Sequence, residues 1–280
     1  MKSQIAQTSK GRIEYTLLGR GPVVIVCHGT SSDCFSTELS QPLVDAGFCV
    51  LTPSRPGYGR TSLSVGRSAG EATEGLIALL DGLTIQTCSV IAISGGGPTG
   101  VTLAARLPLR VIRLILAEAI SQPENRPNEP SYKNQMAFYG PMHGVMWRML
   151  GLLGRVSPRS MARQTLSIFS THDPDEALSK LSDQEIKSIC QFYQGRSSRK
   201  GALNDATHTV GAELLQSVQQ PTLVIHSRED KSVPFSHAEW SLKNIPQSTL
   251  SEAGFTGHFF WIGPEFHRIS QSMVKFLEPG

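Results

Sequence analysis

The chain has 280 residues, 39% hydrophobic and 18% charged, with a formal net charge of +3. That balance is ordinary for a globular protein and excludes disordered, fibrous and collagen-like classes. Basic residues are scattered, and the one short cluster, Arg196, Arg199 and Lys200, reads as a solvated loop, so no nucleic-acid partner is expected.

Taken in chain order, residues 4–8 and 13–18 read as two strands around the turn Ser9-Lys10-Gly11. The β-branched run Val23-Val24-Ile25-Val26-Cys27 ends at His28-Gly29 and has the continuous apolar character of a strand buried on both faces. Residues 48–52 form another such run, followed by Pro53 and then Arg55-Pro56-Gly57-Tyr58-Gly59. Ser68-Ala69-Gly70-Glu71 is a capping box opening a helix with Leu76, Ile77, Leu80 and Leu83 on one side. Residues 90–93 are the next strand, which turns at Ser94-Gly95 directly into a helix, and residues 111–116 are a further strand. From Gln122 to about Val210 the texture is helical, with helices expected over 138–153, 158–169 and 183–193. Strands return at 222–225 and near Thr249-Leu250. Phe266, Ile269, Met273 and Phe276 mark the core face of a last amphipathic helix. This alternation predicts an α/β fold: a mostly parallel central sheet with right-handed crossovers, flanked by helices. Residues 1–121 and 211–280 form the core, and 122–210 a helical insertion.

Residues 1–10 are polar and lack a signal-type apolar stretch, and no run approaches the ~20 apolar residues needed to span a bilayer. The five cysteines, Cys27, Cys34, Cys49, Cys88 and Cys190, are odd in number and lack metal-ligand spacing. Free thiols in a reducing, cytoplasmic setting are therefore expected, with no membrane partner and no metal.

The chemistry-bearing pattern begins at Ala92-Ile93-Ser94-Gly95-Gly96, where a strand feeds a helix through one tight turn flanked by small residues. Such an elbow lifts the Ser94 hydroxyl above the sheet. Here Ala92 stands at the first position, where glycine is usual. The turn has neither the lysine and spacing of a P-loop nor a dinucleotide fingerprint. A serine nucleophile needs a base of fixed tautomer. Asp230, in Arg228-Glu229-Asp230-Lys231-Ser232-Val233-Pro234, follows a strand end, with Glu229 and Glu118 as rival acids. His258, in Gly257-His258-Phe259-Phe260-Trp261, follows the last strand and completes the chain order serine, acid, histidine. The seven other histidines read as structural. Donors for a developing oxyanion would be the backbone N–H of Gly95 and that of Thr30 or Ser31.

These blocks, from Val26-Cys27-His28-Gly29 through Arg55-Pro56-Gly57-Tyr58-Gly59, Ser94-Gly95-Gly96-Gly97-Pro98 and the Asp230 loop to Gly257-His258, resemble the α/β-hydrolase superfamily over nearly the whole chain. The resemblance implies an α/β-hydrolase fold with a helical cap at 122–210. It also implies a cofactor-free serine hydrolase using Ser94, Asp230 and His258, with Gly95 and Thr30 or Ser31 as the oxyanion hole. Ser54 stands where many relatives carry Asp, and a serine in place of an aspartate nucleophile argues against epoxide hydrolases and haloalkane dehalogenases. The expected reaction is cleavage of a carboxylic ester or lactone of a small, mainly apolar molecule. Phe138, Met142, Trp147 and Phe259 are candidate pocket residues, and the chain is expected to be a monomer or homodimer. Carbon–carbon hydrolysis, perhydrolysis or ligand reception without turnover are alternatives on the same scaffold.

Overall fold

The computed structural model describes residues 1–36, 38–123, 139–194 and 197–278. Eight strands form one sheet: β1 (Gln4–Thr8), β2 (Gly11–Gly19), β3 (Val23–Cys27), β4 (Cys49–Pro53), β5 (Cys88–Ile93), β6 (Val111–Ala117), β7 (Thr222–His226) and β8 (Ser248–Glu252). Their order is β1-β2-β4-β3-β5-β6-β7-β8. β1–β2 and β2–β4 pair antiparallel, and every later pair is parallel. The central strands β4, β5 and β7 are buried along their full length, which is why they read as unbroken apolar runs.

One layer of helices comprises α1 (Ser40–Asp45) and α11 (Phe266–Leu277); the other contains α2 (Ala69–Gly82) and α3 (Gly97–Arg106). On α11 the buried apolar face is Ile269, Met273 and Leu277, with Phe266 and Phe276 packed at its edge. The Ser68 side chain accepts from Glu71 N–H as expected, but the Glu71 carboxylate reaches back one residue further, to Arg67 N–H.

Between β6 and β7 lie α4 (His143–Val156), α5 (Pro158–Phe169), α6 (Pro174–Ser179), α7 (Asp183–Gln191), α8 (Arg199–Asp205) and α9 (Ala212–Gln216). α10 (Ser236–Asn244) follows β7. Trp147, Met161, Leu166, Ile186, Ile189 and Tyr193 build a separate core for the α4–α7 helices, distinct from the two on the faces of the sheet. Phe259 and Ile262, from the segment after β8, complete that core and join the helices to the sheet. The five cysteines are free and buried. No helix among the described residues is long and apolar enough to cross a membrane.

Candidate active site

β5 ends at Ile93, and Ser94 follows with φ 49, a left-handed conformation that is strained for a residue with a side chain. The chain then enters a single 3-10 turn and α3. A Cβ at Gly100 would lie 2.4 Å from the Ala92 methyl. Glycine on the helix thus makes room for alanine on the strand, and the departure at position 92 is absorbed one helical turn away.

At the end of β7, Asp230 is buried and its Oδ1 accepts from the Ser232 and Val233 N–H groups at 2.7 and 2.9 Å. This local turn is the conformation that an aspartate followed by polar residues favours. Asp230 Oδ2 accepts from His258 Nδ1 at 2.7 Å, which places the ring proton on Nδ1 and leaves Nε2 as the basic nitrogen. Burial alone would raise the Asp230 carboxyl, but the neighbouring His258 more than offsets it and holds the group below its ordinary value. Glu229 instead bonds the Thr171 hydroxyl.

Ser94, His258, Thr30 and Ser31 open onto one cavity of about 70 Å³, which Ile120, Tyr139, Phe169, Phe192, Asp205 and Val233 also line. Gly95 sits against Thr30: a Cβ there would lie 2.2 Å from Thr30 Oγ1. Phe169, at the end of α5, stacks on the His258 ring at 5.9 Å. Its carbonyl accepts from the N–H groups of Lys231 and His258, and Thr171 N–H donates to Glu229 O, so the helical segment is bonded by backbone to both loops that carry the acid and the histidine. A second cavity of about 580 Å³ shares Ser31 and Phe192 with the first and extends past Asp33, Glu38, Gln191, Phe259 and Trp261.

The aromatic candidates separate. Phe259 is buried against Phe169 and Phe192 and borders the larger cavity, whereas Trp147 belongs to the α4–α7 core. Met142, just before α4, is 67% exposed and lines neither of these two cavities. Other apolar residues of α4, Met149 and Leu152 among them, are exposed as well. Phe138 lies outside the described residues.

Sequence reasoning missed a buried polar clasp. Arg55 reaches from the loop after β4 to donate two hydrogen bonds to Asp205 at the end of α8, 2.6 and 2.7 Å, and Tyr58 Oη donates to the same carboxylate at 2.7 Å. Thr30 Oγ1 also donates to it at 2.8 Å. Burial pushes the Asp205 carboxyl up, but the Arg55 guanidinium and the Tyr58 hydroxyl overcome that and hold it below its usual range. His28 supports the clasp from beneath: its Nε2 accepts from Arg55 N–H, its Nδ1 donates to Gly29 O, and burial drives its basicity down to about 3. The only advance signal was the Arg-Pro-Gly-Tyr-Gly motif, since nothing around Asp205 marks it. Ser54 has a carboxylate nearby: Glu14 of β2 accepts from Arg60 N–H and Nε at 2.7 and 2.8 Å and approaches Ser54 Oγ at 3.4 Å.

Glu118, Asp230 and His258 each offer a donor atom within 4.8 Å of the others, a grouping that could hold a metal. The 2.7 Å bond from His258 to Asp230 uses one atom from each of these residues, so the grouping reads first as a hydrogen-bonded network.

The profile described as "Alpha/beta hydrolase family" matches residues 24–266. An uncharacterized hydrolase, YcgS, of Bacillus subtilis (strain 168) is 33% identical over 271 residues, covering 96% of this chain and 95% of its own. A 2-hydroxy-6-oxononadienedioate/2-hydroxy-6-oxononatrienedioate hydrolase of Pseudomonas putida is 24% identical, covering 92% and 90%. Among solved structures, an alpha/beta hydrolase fold protein from Nakamurella multipartita superposes with a TM-score of 0.84 at 24% identity, covering 99% of each chain.

Proposed function

The chain belongs to the alpha/beta hydrolase family, and we propose that within it the protein is a serine hydrolase that cleaves esters of short, uncharged acyl groups. The observation that carries this reading is the single small cavity shared by a strained Ser94 and a His258 whose tautomer is held by Asp230. Ser94 Oγ attacks the acyl carbonyl while His258 Nε2 takes its proton. The N–H groups of Gly95 and of Thr30 or Ser31 receive the oxyanion. The imidazolium returns the proton to the departing alkoxide, leaving an acyl-enzyme. Water then attacks, giving its proton to His258, and the acid leaves as Ser94 recovers its own proton. The helices between β6 and β7 act as a cap over this site.

Two features set the substrate class. The cavity at Ser94 is small, about 70 Å³, which suits an acyl group of a few carbons. Its charged lining, among the described residues, is a carboxylate: Asp205 faces it, while Arg55 lies behind with its guanidinium committed to Asp205. The pair is neutral overall and, among the described residues, leaves no free cation for an anionic substrate. The Pseudomonas relative is named for a dicarboxylate substrate, so carbon–carbon hydrolysis of that kind is the second reading and requires a cation this lining does not offer.

The test is one preparation assayed against p-nitrophenyl esters of increasing chain length, simple lactones and a vinylogous diketone acid. The expected outcome is kcat/KM highest for two- to four-carbon acyl groups, by roughly tenfold or more over long chains, with weaker lactone opening. Turnover of the diketone acid without turnover of any ester would overturn the reading. Inertness toward all three classes would favour a ligand receptor.

A further inference from the structure

Glu118 is the residue immediately after β6, and the triad as described does not use it. Its backbone is in the left-handed region, φ 46, a conformation that is uncommon for a residue with a side chain and that concentrates at functional sites. Its side chain is wholly buried and approaches both Asp230 and His258. One carboxyl oxygen, Oε1, accepts from Ser227 N–H at 2.9 Å. The other, Oε2, is buried and receives no N–H or hydroxyl. His226 Nε2 is 3.2 Å from it, but that nitrogen bonds the Val233 carbonyl at 2.9 Å, and since a carbonyl only accepts, its hydrogen points there. What remains beside Glu118 is the carboxyl of Asp230. The two carboxyl groups lie within 4.8 Å of one another, and His226 Nε2, 3.2 Å from Glu118 and 3.9 Å from Asp230, gives its hydrogen to Val233 O; a buried carboxyl pair with no hydrogen given to it from there needs a proton on one of the two.

Asp230 already accepts from Ser232 and Val233 N–H and from His258, so its oxygens are committed as acceptors of an ionised group. The proton therefore sits on Glu118. We propose that Glu118 is an uncharged positioning residue that donates a hydrogen bond to Asp230, so that the acid pair carries one negative charge and the Asp230 carboxylate is held toward His258. Burial, then the adjacent Asp230 charge, raise the Glu118 carboxyl well above its ordinary value, in agreement with that arrangement. The titratable groups facing the pair are His226, whose burial favours the neutral ring, and His258. The charged neighbours on the acid loop turn away: Arg228 pairs with Glu252, Glu229 with Thr171 and Lys231 with Ser167 O. Across the cleft, His237 Nδ1 is taken up by the Ser121 and Gln122 N–H groups.

The inference rests on the serine-hydrolase reading for its catalytic consequence but not for its protonation claim, so the two are tested separately. The infrared difference spectrum of wild type against Glu118→Gln at neutral pH should show a protonated carboxylic acid in the wild type that the variant lacks. Its absence would overturn the proposal whatever the enzyme's activity. In kinetics, Glu118→Gln retains both the acceptor for Ser227 and a donor for Asp230. It should keep kcat/KM within a few-fold and leave the acid limb of the pH profile in place. Glu118→Leu removes the donor and should lower kcat/KM by on the order of 10- to 100-fold, with the acid limb moved to higher pH because an undersolvated Asp230 holds the imidazolium more tightly. A shift of the limb to lower pH in Glu118→Gln would mean that an anion was removed and would overturn the proposal. Failure of a serine-directed phosphonate to label the wild type, with the infrared band present, would count against the hydrolase reading alone.

Discussion

On the sheet side of the cavity, Ser94 and Asp230 are set by residues a few positions away. Ser94 is strained by the strand and helix on either side of it, and Asp230 is turned by the N–H groups of Ser232 and Val233. On the helical side, the corresponding group is Asp205, whose partners Thr30, Arg55 and Tyr58 are 175, 150 and 147 positions away. The sheet side is built from local turn chemistry. The helical side is built from one buried ion pair that exists only when the chain has folded back on itself. On the proposed function, the difference teaches where specificity would sit: the groups assigned to the reaction belong to the core, while the shape and charge of the space above them would depend on how the insertion docks.

The largest expected effect falls on the sheet side. Asp230→Asn should lower kcat by roughly 10⁴-fold, because the histidine loses its fixed tautomer, with the fold intact by circular dichroism. Glu229→Gln should change kcat by less than about threefold, since its side chain is engaged with Thr171 rather than the ring. Equal losses in both would break the assignment of the acid.

Asp205→Ala probes the other side. It strands the Arg55 guanidinium, which is 1% exposed, and should cost about 3–5 kcal/mol of stability. It should also reduce kcat on the order of 100-fold by freeing Thr30 beside the oxyanion position. A loss of stability with unchanged kcat would confine the clasp to docking.

The same residue sharpens the comparison through pH. The folded-state carboxyl of Asp205 is depressed, so its contribution to stability is present above the unfolded value near ~3.9 and is lost as pH falls through the lower, folded value. The gap in urea midpoint between wild type and Asp205→Asn should therefore be constant above about pH 5 and shrink below about pH 4. A gap that widens on acidification would contradict the ion pair.

These contrasts explain what could be read in advance. The strand and helix order was legible because buried parallel strands must be continuously apolar, and residues 23–27 and 90–93 are. Ser94, Asp230 and His258 stood out because each occupies a strand-end turn with its own local signature. Asp205 had none: Asn204-Asp205-Ala206 is an ordinary helix end, and its meaning comes from Arg55, on the far side of the sequence. Pocket lining is less legible: periodicity shows which residues share a face of α4, but not whether that face, with Met149 and Leu152, meets a cavity or solvent. Glu118 was visible as a rival acid because it follows a strand, yet its relation to Asp230 arises from the pairing of β6 with β7.

The smallest effects are the helix caps, one in each region. Ser68 accepts from Glu71 N–H in the core, and Ser182 accepts from Glu185 N–H in the insertion. Replacing either with alanine should cost about 1 kcal/mol by urea unfolding, with kcat unchanged for Ser68→Ala. If Ser182→Ala moves KM at equal stability cost, docking of the insertion tunes binding, as the comparison requires.

The central claim is that Ser94 is the nucleophile and His258 its base. The most direct measurement is reaction of the intact protein with a fluorophosphonate, followed by peptide mapping. The account requires one adduct per chain, on Ser94, absent in Ser94→Ala and formed far more slowly in His258→Ala. An adduct on another residue, or labelling of Ser94 at an unchanged rate without His258, would contradict it.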